Sequence, residues 1–141
     1  QYLLNKGYTS DNIYLIGYSL GGAVATHLAT KKKVAALFLI SPISSVSDTV
    51  NSKFSVLSLL FWTRSKFDTY NMVKKVNTPV MILHSKKDKT IPYQHGKKVF
   101  ENAIQPKQFL SSENLEHHDE DKLFNLHSNK IKTFLKKYVG D

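Results

Sequence analysis

The chain of 141 residues contains no cysteine, and it has no apolar run of the roughly 18 residues that a membrane-spanning helix needs. Without cysteine there can be no disulfide, no thiolate chemistry and no cysteine-ligated zinc. The absence suits a reducing compartment. The N-terminus QYLLNKGYTS also lacks a signal-peptide pattern, so a cytoplasmic location is favoured.

Acidic residues are also scarce, since 20 Lys and Arg face 11 Asp and Glu, a formal net charge of +9. Such a balance favours acidic partners, including peripheral contact with an anionic membrane surface. The lysines are scattered along the chain, however, which is equally typical of an ordinary solvated surface. Nucleic-acid binding is not expected, because basic and aromatic residues do not alternate and no known binding motif is present.

Four short apolar runs predict buried β-strands, at 12–17, 34–40, 79–84 and 107–112. Continuous runs of this length, rich in Ile, Val and Leu, are typical of strands covered on both faces of a parallel sheet. With 41% hydrophobic residues, the chain is long enough for one domain with a core and too short for two.

Helical patterns separate these runs, in the segments 20–33, 93–104 and 120–139. The first predicts an apolar face of Leu20, Ala23, Val24, His27 and Leu28. The last predicts one broad face of Leu123, Phe124, Leu126, Ile131, Phe134, Leu135 and Tyr138. Strands that alternate with helices indicate a layered α/β domain with parallel strands.

The segment from about 45 to 75 interrupts this alternation. Its apolar patch at 54–62 has helical spacing and includes Trp62. The segment fits a small lid on the catalytic side, and it fits an ordinary packing helix equally well.

The stretch IYLIGYSLGG places one serine among glycines, between a predicted strand and a predicted helix. It contains G-x-S-x-G from Gly17 to Gly21, a pattern that puts a nucleophile on a sharp turn. We expect both glycines to be required because a Cβ would collide with a neighbouring strand or helix. Ser19 is the predicted nucleophile, and the N–H of Leu20 is the predicted oxyanion donor. No phosphate-binding glycine pattern supports a phosphate turn.

A serine nucleophile needs a base and an acid, and both follow in the chain after later strands. HSKKDKTIP places Asp88 four residues beyond His84, at the end of the third strand. SSENLEHHDED places His117 and His118 after the fourth strand. Carboxyl ends of parallel strands meet at one edge of a sheet, where such domains hold their sites. Either histidine could be the base, since neighbouring side chains in an extended loop point apart.

A metal site is not expected. Adjacent histidines rarely bind one ion, and no helical pair of histidines completes a ligand set. His27, His95 and His127 fall in helical segments, where they are expected to be packed or solvated residues.

Three segments resemble landmarks of the α/β-hydrolase superfamily: GYSLGGAVATHLA the nucleophile elbow, TPVMILHSKKDKTIPYQHGKKVFENA the acid turn, and KQFLSSENLEHHD the histidine loop. The chain looks most like the depalmitoylase-like and serine aminopeptidase-like branch. The resemblance implies a three-layer α/β-hydrolase fold with a mostly parallel sheet, of which this chain holds the last four strands. It therefore implies one partial domain over 1–141, and an exposed apolar edge along the strand at 12–17.

In that branch the last landmark usually reads E-G-A-G-H-N-D. Laid on this sequence, the pattern favours His117 over His118 as the base. The chain departs from it at Glu116, where a small residue is usual. It departs from the acid turn at Ser85, where a glycine usually follows the strand-end histidine.

The resemblance implies a serine hydrolase that cleaves ester or thioester bonds without a cofactor. Its substrate would be a small acyl ester or thioester, a lipid or an acylated protein. A peptidase using the same three residues is a related alternative. The alternative of another class is an inactive fragment that binds a partner through its open edge.

Overall fold

The computed structural model describes residues 2–45 and 68–140. Four strands are present close to their predicted bounds. They are β1 (Tyr14–Tyr18), β2 (Ala36–Ile40), β3 (Val80–Ser85) and β4 (Lys107–Ser112). They form one sheet in the order β1-β2-β3-β4, and every neighbouring pair is parallel. The predicted parallel sheet is therefore confirmed.

The two central strands, β2 and β3, explain why their sequences are continuously apolar. Every residue of both strands is buried, because helices cover both faces of the sheet. The register pairs Leu37 with Val80 and Val80 with Lys107. The carboxyl ends of the strands consequently lie along one edge, which is where Ser19, Asp88 and the histidine loop begin.

Helices of different length precede, connect and follow the strands. They are α1 (Tyr2–Asn5), α2 (Gly21–Ala29), α3 (Thr69–Met72), α4 (Tyr93–Asn102), α5 (Glu120–Leu126) and α6 (Ser128–Tyr138), with 3₁₀ turns at Ser10–Asn12 and Val73–Lys75.

Alternate side chains of β2 face the two layers of helices. Leu39 belongs to the cluster that contains Ala25 of α2 and Val99 of α4. Phe38 belongs to the opposite cluster, where its ring lies edge-on to that of Phe134 in α6, with centroids 6.5 Å apart. The sheet is thus the middle of three layers, as the resemblance implied.

The buried face of α2 differs from the predicted one. Ala23 is buried as predicted, but Val24 is 55% exposed and Leu28 is also exposed. Ala25 is buried in their place. The helix lies so close to β1 that a Cβ built on Gly17 would come within 2.9 Å of the Ala25 Cβ. Only small side chains fit at that distance, so the larger apolar residues point away from the sheet.

The predicted helix at 120–139 is two helices that meet at His127. The backbone of His127 is no longer helical, and its Nε2 is 3.0 Å from the carbonyl oxygen of Ser111. Leu126, just before the break, is 62% exposed and does not share the core with Ile131 and Phe134. The prediction of one continuous helix is therefore wrong, whereas most of the predicted face is present, since Leu123 shares one core cluster with Ile131 and Phe134.

β1 forms one edge of the described sheet, and Tyr14 and Ile16 are exposed on it, with Ile16 59% exposed, whereas Leu15 packs against the core. The apolar patch at 54–62 lies outside the described residues, so its assignment as lid or packing helix stays a prediction. Within residues 2–45 and 68–140, no helix combines the length and apolar character that crossing a bilayer requires.

Candidate active site

Ser19 occupies the turn between β1 and α2, which is two residues long. Its φ is +51°, a left-handed conformation that is uncommon for residues other than glycine. Two backbone hydrogen bonds hold it there: Ser19 N–H donates to the Ile40 carbonyl at 2.9 Å, and Gly22 N–H donates to the Ser19 carbonyl at 3.1 Å. The strained backbone is thus fixed by the neighbouring strand and by the start of the helix.

The two glycines that flank the turn differ in what they permit. A Cβ on Gly17 would lie 2.6 Å from the Gly22 Cα and 2.7 Å from the Gly21 carbonyl oxygen, so this position requires glycine. A Cβ on Gly21 would meet no described atom within 4 Å. The expectation that a collision requires Gly21 is therefore wrong for the described residues, because none of their atoms lies within 4 Å of that Cβ position.

Leu20 stands directly before α2, at the positive end of a helix of nine residues. Among the described residues, its N–H donates no hydrogen bond, whereas its carbonyl accepts from Ala23 N–H at 3.1 Å. An N–H group in this position can donate to an anion formed beside Ser19.

Asp88 lies in the turn after β3, and it is only 5% exposed. Its Oδ1 accepts hydrogen bonds from the N–H groups of Thr90 at 2.9 Å and Ile91 at 2.8 Å. These bonds close the turn and fix the plane of the carboxylate, leaving Oδ2 to face the histidine loop.

His117 contacts Oδ2 of Asp88 through Nδ1, at 2.7 Å. Because the carboxylate oxygen accepts, Nδ1 carries the proton and Nε2 is free to accept one. His118 is exposed, and its ring centroid is 5.4 Å from that of His117. Of the two adjacent histidines, His117 is thus the one that pairs with Asp88.

The ionisation of Asp88 follows from these contacts. Burial alone would raise the pKa of the carboxyl group. The hydrogen bonds from His84, from His117 and from the Ile91 backbone outweigh burial and hold that pKa well below its usual range. Asp88 is therefore a carboxylate wherever the protein is folded at ordinary pH.

A loop of residues 113–119 carries His117, and contacts from two directions hold it. The Tyr18 hydroxyl donates to the His117 carbonyl at 2.9 Å, and the two rings lie 5.0 Å apart. The Ser85 hydroxyl donates to the Leu115 carbonyl. Glu116, a departure from the usual pattern, is exposed and lies 4.0 Å from the Lys87 amine.

Three residues of this region were not predicted as part of the site: Tyr18, His84 and Ser85. Tyr18 is the variable residue of G-x-S-x-G, and burial, followed by the charges of Glu120 and Asp88, raises its pKa to about 12. His84 is fully buried, with Nε2 3.5 Å from Oδ2 of Asp88. The one available signal was the spacing of His84, four residues before the predicted acid.

The strands thus bring Asp88 and His117 into contact. Ser19 follows Tyr18, whose hydroxyl and ring contact His117. Within residues 2–45 and 68–140, no hydrogen bond joins the Ser19 side chain to His117. Catalytic hydrogen bonds are often long before substrate binds. In the same part of the chain, no group of three or more histidine or acidic side chains is arranged to hold a metal ion.

Comparison with known proteins identifies the family. The sequence profile of the prolyl oligopeptidase family matches residues 1–139. The chain belongs to this family, and the expected α/β-hydrolase superfamily is confirmed. The human alpha/beta hydrolase domain-containing protein 17B is 26% identical over 134 residues, which cover 92% of this chain and 43% of that protein.

Two further proteins are similar to this chain, one in sequence and one in structure. The lysophosphatidylserine lipase ABHD12 of Macaca fascicularis is 32% identical over 123 residues, covering 74% of this chain and 31% of that protein. The esterase domain of a Rhodothermus marinus protein superimposes with a TM-score of 0.71 at 21% identity, covering 90% of this chain and 61% of that one, and so confirms the fold. The chain spans less than half the length of these curated relatives.

Proposed function

We propose that this family member is a serine hydrolase of ester or thioester bonds, with Ser19 as nucleophile, His117 as base and Asp88 as the acid that orients it. The observation that carries the proposal is the 2.7 Å contact between His117 Nδ1 and Asp88 Oδ2. It supplies a histidine of defined tautomer at the sheet edge where Ser19 holds a strained turn.

In the first step, Ser19 Oγ attacks the acyl carbon of the substrate while His117 Nε2 takes the hydroxyl proton. The oxyanion that forms accepts a hydrogen bond from the Leu20 N–H. The charged imidazolium is stabilised by the carboxylate of Asp88. The proton then passes from His117 to the leaving alcohol or thiol, and the acyl group stays on Ser19.

In the second step, water attacks the acyl-enzyme, and His117 takes a proton from it as the base. Collapse of the intermediate returns the proton to Ser19 Oγ and releases the carboxylic acid. Each step uses only side chains, the backbone N–H of Leu20 and water, so the proposed reaction has no cofactor.

The proposed substrate class is an acyl ester or thioester, in a lipid or an acylated protein. One relative is a lysophosphatidylserine lipase and one structural neighbour is an esterase domain, which supports an ester. The name of the family favours a second candidate, a small peptide hydrolysed by the same three residues.

Contact with an anionic lipid surface is also part of the proposal, as is the cytoplasmic location. The sequence of α6, SNKIKTFLKKY, carries four lysines and no acidic residue. This helix is the described element best suited to such a surface.

The test is labelling of the native protein that carries this chain with a fluorophosphonate, followed by mapping of the labelled peptide. Label on the peptide that contains Ser19 is expected, and Ser19→Ala should abolish it. Ser41→Ala is the matched control, because Ser41 directly follows the neighbouring strand β2 in the same left-handed conformation, with φ +45°.

Labelled protein is then assayed for turnover of p-nitrophenyl esters, acyl thioesters and short peptide amides. Faster turnover of esters and thioesters supports the proposal, and faster turnover of amides would favour the peptidase. An active-site peptide that never labels in a folded protein would leave the non-catalytic binding protein as the better account.

A further inference from the structure

The carboxylate of Asp88 lies between two histidines, of which the proposed reaction uses one. His117 approaches Oδ2 from the loop after β4, at 2.7 Å. His84 approaches the same oxygen from inside β3, with Nε2 at 3.5 Å. Both imidazoles are buried, and His84 is fully so. His84 is thus a buried histidine next to Asp88, and the proposed mechanism gives it no role.

The contacts of His84 define its tautomer. Its Nε2 is 2.9 Å from the Ile91 carbonyl oxygen, which can only accept a hydrogen bond. Nε2 therefore carries the proton, and Asp88 Oδ2 lies 3.5 Å from the same nitrogen. The other nitrogen, Nδ1, is buried and has no hydrogen-bond partner among the described residues.

The position of the His84 ring is fixed from two sides by α4. A Cβ built on Gly96 would overlap Nδ1 of His84, so the ring occupies the space that a side chain would fill there. Tyr93 lies edge-on to the ring, with centroids 5.8 Å apart. The imidazole is thus held in one position, with Nε2 3.5 Å from Asp88 Oδ2.

We propose that His84 is a positioning residue, which holds the Asp88 carboxylate in the orientation that His117 requires by donating its Nε2–H to Oδ2. The inference deepens the proposed function and rests on it for its effect on catalysis. Its structural content, a second histidine donor to Asp88, does not depend on Ser19 being reactive. With Thr90 and Ile91 bonded to Oδ1, both oxygens of the buried carboxylate then have donors.

The first experiment needs no substitution. Long-range ¹⁵N–¹H NMR of the native protein that carries this chain should show the Nε2–H tautomer for His84. A proton on Nδ1 instead would overturn the proposal, because Nε2 could then donate nothing to Asp88. This outcome is independent of labelling at Ser19, so the two proposals can fail separately.

The second experiment compares His84→Leu, which removes the donor, with His84→Gln, whose amide can replace Nε2–H. Titration of the Asp88 carboxyl carbon by ¹³C NMR should show its pKa rising by about one unit in the Leu variant. The Gln variant should keep most of the wild-type behaviour. Equal titration in all three folded proteins would contradict the proposal.

The third readout is kinetic. His84→Leu should lower kcat about tenfold with little change in KM, and His84→Gln should restore most of it. The titratable groups that face this pair are His117 from the loop after β4, Tyr93 from α4 and, across His117, Tyr18 from β1. Because these groups also affect the pH dependence of kcat/KM, its acid limb is compared only among wild type and the His84 variants, in which these neighbours are unchanged.

Gly96→Ala provides an independent route if the Leu variant does not fold. The added methyl group should displace the His84 ring and so move its Nε2 away from Asp88 Oδ2. It does so without substituting His84 or His117. It should therefore reproduce the raised Asp88 pKa and the lower kcat. A folded Gly96→Ala protein with wild-type titration and rate would overturn the proposal.

Discussion

The phenol of Tyr18 donates a hydrogen bond of 2.9 Å to the backbone carbonyl of His117. The two residues are 99 positions apart in the chain, and Tyr18 directly precedes the proposed nucleophile. The contact therefore ties the turn that carries Ser19 to the loop that carries His117. We therefore expect the distance between the proposed nucleophile and base to depend on this bond.

Replacing Tyr18 with Phe should loosen that connection while keeping the ring against His117. A net hydrogen bond contributes about 0.5–1.5 kcal/mol, so we expect kcat/KM to fall by about three- to tenfold. Steady-state kinetics of the native protein and the variant measure the effect. Tyr8→Phe, at an exposed tyrosine, controls for loss of a phenol, and an unchanged rate in Tyr18→Phe would show that the tie is dispensable.

The same contact predicts a dependence of stability on alkaline pH. The pKa of Tyr18 is raised from 10.0 to about 12, so its stabilising contribution is complete below pH 10 and is lost as pH rises towards 12. The difference in free energy of unfolding between wild type and Tyr18→Phe should therefore shrink over this range. Urea unfolding at pH 8 and pH 11 measures it, and a constant difference would contradict the prediction.

The two central strands, β2 and β3, could be predicted from sequence because burial on both faces makes their composition continuously apolar. The buried face of α2 could not, because it depends on a distance. Gly17 allows the helix to approach β1 so closely that Ala25 faces the sheet and the larger Val24 is excluded. A hydrophobicity pattern carries no information about the distance between α2 and β1. The larger apolar residues were therefore predicted to face the core.

The residues of the candidate site also fall into those that could be predicted from the sequence and those that could not. Asp88 and His117 could be predicted because each follows a strand at the edge where strands end, and their contact confirms that both reach the same place. In the sequence, His84 looks like one more residue of a buried strand. Its closeness to Asp88 arises from the turn after β3, which a sequence pattern does not show. Ser85 was a departure from the usual pattern, yet its hydroxyl bonds the histidine loop.

Replacing Asp88 with Asn should remove a buried charge on which several donors converge. We expect a loss of about 2–4 kcal/mol in the free energy of unfolding at pH 7 and a fall of about 10³–10⁴ in kcat. Because the folded pKa is depressed, the contribution is present above the ordinary carboxyl value of 3.8 and is lost as pH falls below it. The stability difference should consequently narrow in acid.

Denaturant unfolding at pH 7 and at pH 3 measures this narrowing. Asp11→Asn is the control, because Asp11 makes an exposed ion pair with Lys33 at 2.9 Å and should change stability little. A difference between wild type and Asp88→Asn that is the same at both pH values would argue against a depressed pKa at Asp88.

Replacing Ser85 with Ala should free the histidine loop without disturbing β3. The hydroxyl that bonds the Leu115 carbonyl also accepts from Lys87 N–H at 3.3 Å, so both loops lose a contact. Amide hydrogen exchange should accelerate at residues 113–118. Thr133→Ala removes a similar hydroxyl-to-carbonyl bond within α6 and should leave that loop unchanged. If the amides of residues 113–118 exchanged as slowly in Ser85→Ala as in wild type, the ion pairs of the loop would be sufficient to hold it in place.

The two glycines of the turn provide the sharpest stability comparison. Gly17→Ala would place a methyl group 2.6 Å from the Gly22 Cα, where only backbone could move, so we expect a loss of about 1–3 kcal/mol or failure to fold. Gly21→Ala meets no described atom, and its helical position should make the change neutral or stabilising by up to about 1 kcal/mol. Thermal and denaturant unfolding of both variants tests the contrast. If Gly21→Ala were as damaging as Gly17→Ala, residues beyond the described part would have to fill the space beside Gly21.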